Sequence, residues 1–231
     1  MQRTISVAFF FLSLSLAQAG IFDEIADQAL KFVPKYAPKF IKNVETGTSS
    51  GKPAFCNDLD CPQYTVVKKE KDYEVRKYVK TTWVSTSMNG ISYDESIYKM
   101  FMKLFNYIQG DNVADEKIAM TAPVINRLIP GPGPACENNF TMSFFMSPKI
   151  KDPPKPKKKD VFLSTLPELT AYVSSFGGFA TETDDIQKAA KLAQILKDAG
   201  VSFYEDFYYT AGYDSPFKLL NRHNEVWFIG K

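Results

Sequence analysis

From Tyr64 to the C-terminus one order of elements is written twice, and this repetition constrains the fold more than any other property of the chain. In the first pass, Tyr64–Val67, Tyr73–Val79 and Thr81–Ser87 alternate apolar and polar residues as half-buried strands do. A Ser92/Glu95 capping box then opens a helix whose predicted inward stripe is Ile97, Phe101, Leu104, Phe105 and Ile108, with Gly110 as its stop. Two strands follow, Met120–Leu128 and Phe140–Met146. In the second pass, strands at Asp160–Ser164 and Glu168–Phe176 precede a helix over Thr183–Ala199, inward at Ile186, Ala190, Ala193 and Leu196 and stopped by Gly200. Strands at Phe203–Ala211 and Asn224–Gly230 close it. Two cycles of strand, strand, helix, strand, strand indicate an internal duplication. Neither copy has enough faces to bury alone, so the expectation is one α+β, barrel-like body with pseudo-twofold symmetry.

The chain ahead of this body reads differently. Arg3, the apolar run Val7–Leu16 and Ala17-Gln18-Ala19 form an export signal over residues 1–19. The run is shorter than the roughly 20 residues that cross a bilayer, and none later approaches that length, so the expectation is a secreted, extracellular protein with no membrane span. Residues 20–55 read as an amphipathic segment, with an apolar stripe at Ile21, Phe22, Ile25, Ala29, Leu30 and Val33, and a linker at Thr46–Pro53. In an oxidising compartment the three cysteines leave one thiol over; Cys56 with Cys61, or either with Cys136, are the pairings open. Asn139-Phe140-Thr141 is a glycosylation sequon. Lys149–Lys159, with six lysines, reads as a solvated loop between the repeats.

The 28 basic and 26 acidic residues nearly cancel, which argues against a nucleic-acid partner. Hydrolytic chemistry finds little support: His223 is the only histidine, no serine sits in a nucleophile elbow, and no phosphate-cradling loop opens either helix. Asp184-Asp185 stands at a helix mouth, where carboxylates complement the dipole. The cysteine spacing matches no zinc site. The reading is a non-enzymatic protein, rich enough in its 31 Phe and Tyr residues to line an apolar pocket.

An ordered set of sequence words narrows this further. Asp72–Tyr78, Trp83–Thr86, Lys117–Val124, Gly131–Pro134 with Thr141–Phe145, Val173–Phe179, Tyr208–Tyr213 and Leu219–Phe228 together resemble the SOUL/haem-binding family, over most of residues 56–231. The resemblance implies a distorted antiparallel β-barrel from two repeated ββαββ units, with two main helices packed outside, similar to bacterial effector-binding domains. It also implies a monomer that binds haem or a related porphyrin. By position the contacts would be Tyr98, Phe101, Met102 and Phe105 on the first helix, with Tyr213 and Lys218 from the C-terminal strands. Aromatic and Met side chains suit a porphyrin face, and lysine suits a propionate. Where some family members are proposed to ligate iron through histidine, this chain has Lys77. Lysine must lose a proton to bind iron, so the expected mode is apolar, without an imidazole bond. The alternative is an interaction module, taking a protein partner or another apolar ligand, that kept the fold without haem affinity.

Overall fold

The computed structural model describes residues 52–131 and 137–231; the expected signal, the amphipathic segment and Cys136 lie outside them. Its main body comprises residues 52–131, 137–214 and 220–231, and the short segment Ser215–Leu219 is not part of it. Nine strands and two long helices follow in the order β1 (Tyr64–Lys69), β2 (Glu74–Tyr78), β3 (Thr81–Gly90), α1 (Tyr93–Ile108), β4 (Val124–Ile129), β5 (Asn138–Phe145), β6 (Val161–Leu166), β7 (Leu169–Phe176), α2 (Glu182–Asp198), β8 (Tyr208–Gly212) and β9 (Asn224–Ile229). The α+β duplication read from the sequence is what the structure has.

All nine strands join one antiparallel sheet in the order β1-β2-β7-β9-β8-β4-β5-β3-β6, curled into a half-barrel. This order makes the duplication explicit. The centre is the β4–β8 junction, where Asn126 faces Thr210. Outward from it, β5 and β3 on one side mirror β9 and β7 on the other. The strand just before β3 in one repeat and before β7 in the other is exchanged: β2 pairs with β7 of the second copy, and β6 pairs with β3 of the first. Neither repeat completes its own half of the sheet, so the two copies fold as one unit.

Local chemistry repeats as well. The Ser92 hydroxyl accepts from the Glu95 N–H at α1, and the Thr181 hydroxyl accepts from the Asp184 N–H at α2, where the Asp184 carboxylate returns a full capping box. Both helices end in a Schellman turn: Gly110 and Gly200 take positive φ, and the following N–H groups of Asp111 and Val201 reach back to Asn106 and Leu196. The expected strand at Phe203–Ala211 is shorter, beginning at Tyr208. Phe203 makes only an isolated bridge to Gly230 before the charged Glu205-Asp206 pair breaks the alternation.

Strand alternation creates two cores. Phe140, Met142, Phe144, Tyr208, Val226 and Phe228 face the helices. Trp83, Phe145, Ile125, Tyr209, Tyr213 and Trp227 fill the other side of the sheet. The predicted helix stripes hold at Leu104, Ile108 and Leu196 and need correction by one position elsewhere. On α1 the buried residues are Tyr93, Ser96, Met100, Leu104, Tyr107 and Ile108, and on α2 they are Asp185, Ala189, Leu192 and Leu196. Ile97, Phe101 and Phe105 are left half-buried, and Ile186 is 51% exposed. The sheet covers the face one residue away, so each helix carries a surplus apolar strip beside its buried one. The lysine-rich loop is pinned, because Lys149, Lys157 and Lys158 pair with Asp60, Asp115 and Asp111. No described helix is long and apolar enough to cross a membrane.

Candidate ligand-binding site

The surplus strip of α1 carries four of the six site residues expected from the sequence. Tyr98, Phe101, Met102 and Phe105 stand at helical spacing and are all half-buried. Phe101 and Phe105, one turn apart, lie nearly parallel, 14° between planes with centroids 5.9 Å apart. Phe101 rests on Phe144 of β5 at 5.2 Å, which holds the platform to the sheet. Lys103, on another face of the helix, is held by Asp160 at 2.6 Å. The strip is thus an aromatic ledge rather than closed core.

Tyr213 stands in the other core. It is 4% exposed, its hydroxyl donates to Glu225 Oε2 at 2.8 Å, and its ring meets Phe55 and His223 edge-on. Lys218 belongs to Ser215–Leu219, where its N–H closes a turn on the Ser215 carbonyl at 3.0 Å. The fold therefore gathers the α1 residues and does not add Tyr213 to them.

Around Tyr213 lies a buried ionic cluster that sequence reading missed. Glu225, wholly buried, accepts from Arg76 Nη1 at 2.9 Å, Tyr213 Oη at 2.8 Å and Trp227 Nε1 at 2.8 Å, and its Oε1 lies 2.7 Å from His223 Nε2. Burial pushes the Glu225 carboxyl up, but the His223 hydrogen bond and the Arg76 charge outweigh it, so the group is held below its ordinary value. Tyr64 covers the Arg76 guanidinium at 4.5 Å, and burial raises its phenol to about 12. Phe55, next to the Cys56–Cys61 disulfide, stacks flat on His223 at 3.9 Å. Of the pairings left open by the sequence, this is the one the structure has. The signal for the cluster was the strand period: Arg76 sits two residues from inward Tyr78, and Glu225 two from inward Trp227.

A second recess opens beside α2. A cavity of about 340 Å³ lies between α2 and strands β4, β8 and β9, walled by Leu128, Ile186, Ala189, Ala193, Phe203 and Phe228. Asp185, 5% exposed, lines it and accepts from the Tyr93 hydroxyl at 2.8 Å. Burial, outweighing that hydrogen bond, lifts the Asp185 carboxyl to about 6. Tyr208, raised to about 12 chiefly by burial, lines the same wall. The sequence assigned Asp185 to helix capping; the Thr181 cap uses Asp184, and Asp185 turns inward on the 185/189/192/196 face.

An α+β half-barrel from an exchanged duplication carries an aromatic ledge on its first helix. Residues 59–229 match the family described as SOUL heme-binding protein, and the chain belongs to that family. It is 46% identical to human heme-binding protein 2 over 160 residues, 69% of this chain and 78% of that protein. Against Xenopus laevis heme-binding protein 1 it is 33% identical over 168 residues, 71% of this chain and 88% of that one. Among solved structures, a chain of the EcmrR–DNA complex matches with a TM-score of 0.53 at 11% identity, covering 69% of this chain and 57% of that one; the likeness is one of fold.

Proposed function

We propose that this chain is a secreted, non-enzymatic binder of haem or a related tetrapyrrole, held by apolar contact and without histidine on the iron. The observation that carries the reading is the Phe101/Phe105 pair in a member of the SOUL family: two near-parallel, half-buried rings backed by Phe144. Such a ledge fits the flat face of a macrocycle, and Tyr98 and Met102 flank it on the same helix. Bound there, the tetrapyrrole would supply its own redox and light-absorbing chemistry. The chain's part is to cover one face and to keep the rings from self-stacking. His223 supports the absence of an imidazole bond, since its Nε2 is engaged by Glu225 and its ring is stacked under Phe55. The export signal at residues 1–19 supports secretion.

Titration of the purified protein with hemin tests this. The expected result is a shifted, saturable Soret band at micromolar hemin, weakened at least tenfold in Phe101→Ala/Phe105→Ala and unchanged in His223→Ala. A spectrum identical to free hemin at every ratio, or loss of the shift in His223→Ala alone, overturns the reading.

A further inference from the structure

We infer that the recess beside α2 is a second binding site, for a small organic cation: an amine carried on a hydrocarbon body. The walls and the polar groups have opposite characters. The walls are aliphatic and aromatic, while the described polar groups that face in from the α2 N-terminal half are acceptors. Asp185 is a carboxyl with one side-chain donor among the described residues, the Tyr93 hydroxyl on Oδ2, which leaves Oδ1 for a ligand. Glu182, one residue short of a turn away on the same helix, has no ion-pair partner among the described residues. The one cation among the described residues lining the recess, Lys197, is held by Glu205 at 2.6 Å and so cancels rather than adds charge.

Behind Asp185 the Tyr93 hydroxyl donates to it at 2.8 Å, and deeper, at the pseudo-twofold centre, Asn126 Nδ2 donates to Thr210 Oγ1 at 3.3 Å. Asn126 Oδ1 is left buried without a donor among the described residues, in a residue 8% exposed. The Tyr93 donor favours negative charge on Asp185, and no described cation answers it. An ammonium entering over Ile186 and Ala189 would supply that charge while its hydrocarbon body covers the apolar wall. A porphyrin, whose propionates are anionic, suits this recess poorly, which separates the site from the α1 ledge.

The described groups facing Asp185 are Tyr93 from α1, Tyr208 from β8, and Glu182 and Asp184 from its own helix; none is a cation. Cation binding must therefore strengthen as Asp185 ionises. The probes are 4-phenylbutylamine, its neutral alcohol 4-phenylbutanol and the anion 4-phenylbutyrate, titrated calorimetrically into the full chain at pH 5.0 and 7.5. The expected result is amine binding at least tenfold tighter than the alcohol at pH 7.5 and several-fold weaker at pH 5.0. Asp185→Asn should remove that pH dependence and most of the preference. Glu182→Gln, a substitution on the helix surface, should weaken the amine several-fold with the fold intact. Equal binding of all three probes, no amine binding at millimolar concentration, or amine binding unchanged in both variants overturns the inference. The hemin titration run beside it reads the α1 ledge alone and should be unaffected by Asp185→Asn, so the two proposals fail separately.

Discussion

Replacing Arg76 by leucine tests how the two repeats are held together. Arg76, 2% exposed on β2 of the first copy, contacts wholly buried Glu225 on β9 of the second, at 2.9 Å; it also bonds Glu74 at 2.9 Å and Tyr78 Oη at 3.3 Å. Taking away one partner of a buried pair strands the other charge, at a cost of about 3–5 kcal/mol. Tyr213 and Trp227 would still donate to Glu225, which places the loss nearer about 3 kcal/mol. For a body of this size that lowers Tm by roughly 10 °C. Removing both charges while keeping an amide oxygen for Tyr213 and Trp227, in Arg76→Leu/Glu225→Gln, should restore stability to within about 1–2 kcal/mol of the parent. The assay is urea unfolding followed by tryptophan fluorescence, since Trp83 and Trp227 both lie in this core. A single variant losing less than about 1 kcal/mol, or a double variant less stable than the single, would refute the reasoning.

Asp185→Asn should change the pH dependence of stability. The folded carboxyl titrates at about 6 against an ordinary 3.8, so its contribution is fully present below the ordinary value and is lost as pH rises through about 6. The variant should therefore unfold like the parent below pH 4 and be more stable above pH 7, by up to about 3 kcal/mol, in paired urea melts; equal stability at pH 8 would contradict this. Glu225 acts with the opposite sign: its depressed value makes its contribution present at neutral pH and lost as acid protonates it, so Glu225→Gln should flatten the acid limb of the same curve. Removing the Cys56–Cys61 bridge as Cys56→Ala/Cys61→Ala should cost about 2 kcal/mol in the chain-entropy account, read from the denaturation midpoint, and an unchanged midpoint would show that the short loop is held by its packing instead.

How much of this was legible in the sequence depended on distance along the chain. Strand alternation and helix ends are local, and Ser92, Gly110 and Gly200, with the expected start at Thr183, mark both helices within a residue or two of their observed limits. Away from Leu104, Ile108 and Leu196 the expected stripes lie one residue off, because burial follows the face the sheet covers and not hydrophobicity alone. Tyr93, Ser96 and Met100 took the core, and Ile97, Phe101 and Phe105 became the ledge. That surplus, an apolar strip wider than the covered face requires, is what the proposed ledge is built from.

The strand period turns both charges inward, but their pairing was not readable, because Arg76 and Glu225 lie 149 positions apart and meet only through the exchange of β2 onto the second copy. The other exchange, of β6 onto the first copy, shows the same construction in neutral form. There Ser164 of β6 bonds Ser85 of β3 at 2.7 Å, and Ser85 bonds Ser143 of β5 at 2.8 Å. Each exchanged strand is thus joined by polar side chains to the half-sheet that receives it, by an ion pair reaching past β7 on one side and by a hydroxyl ladder through β3 on the other. Satisfied polar groups in a core are directional and tolerate one register, where apolar packing tolerates several. The duplication supplies two interchangeable strands of this kind, and these unlike links give each of them a different place to dock.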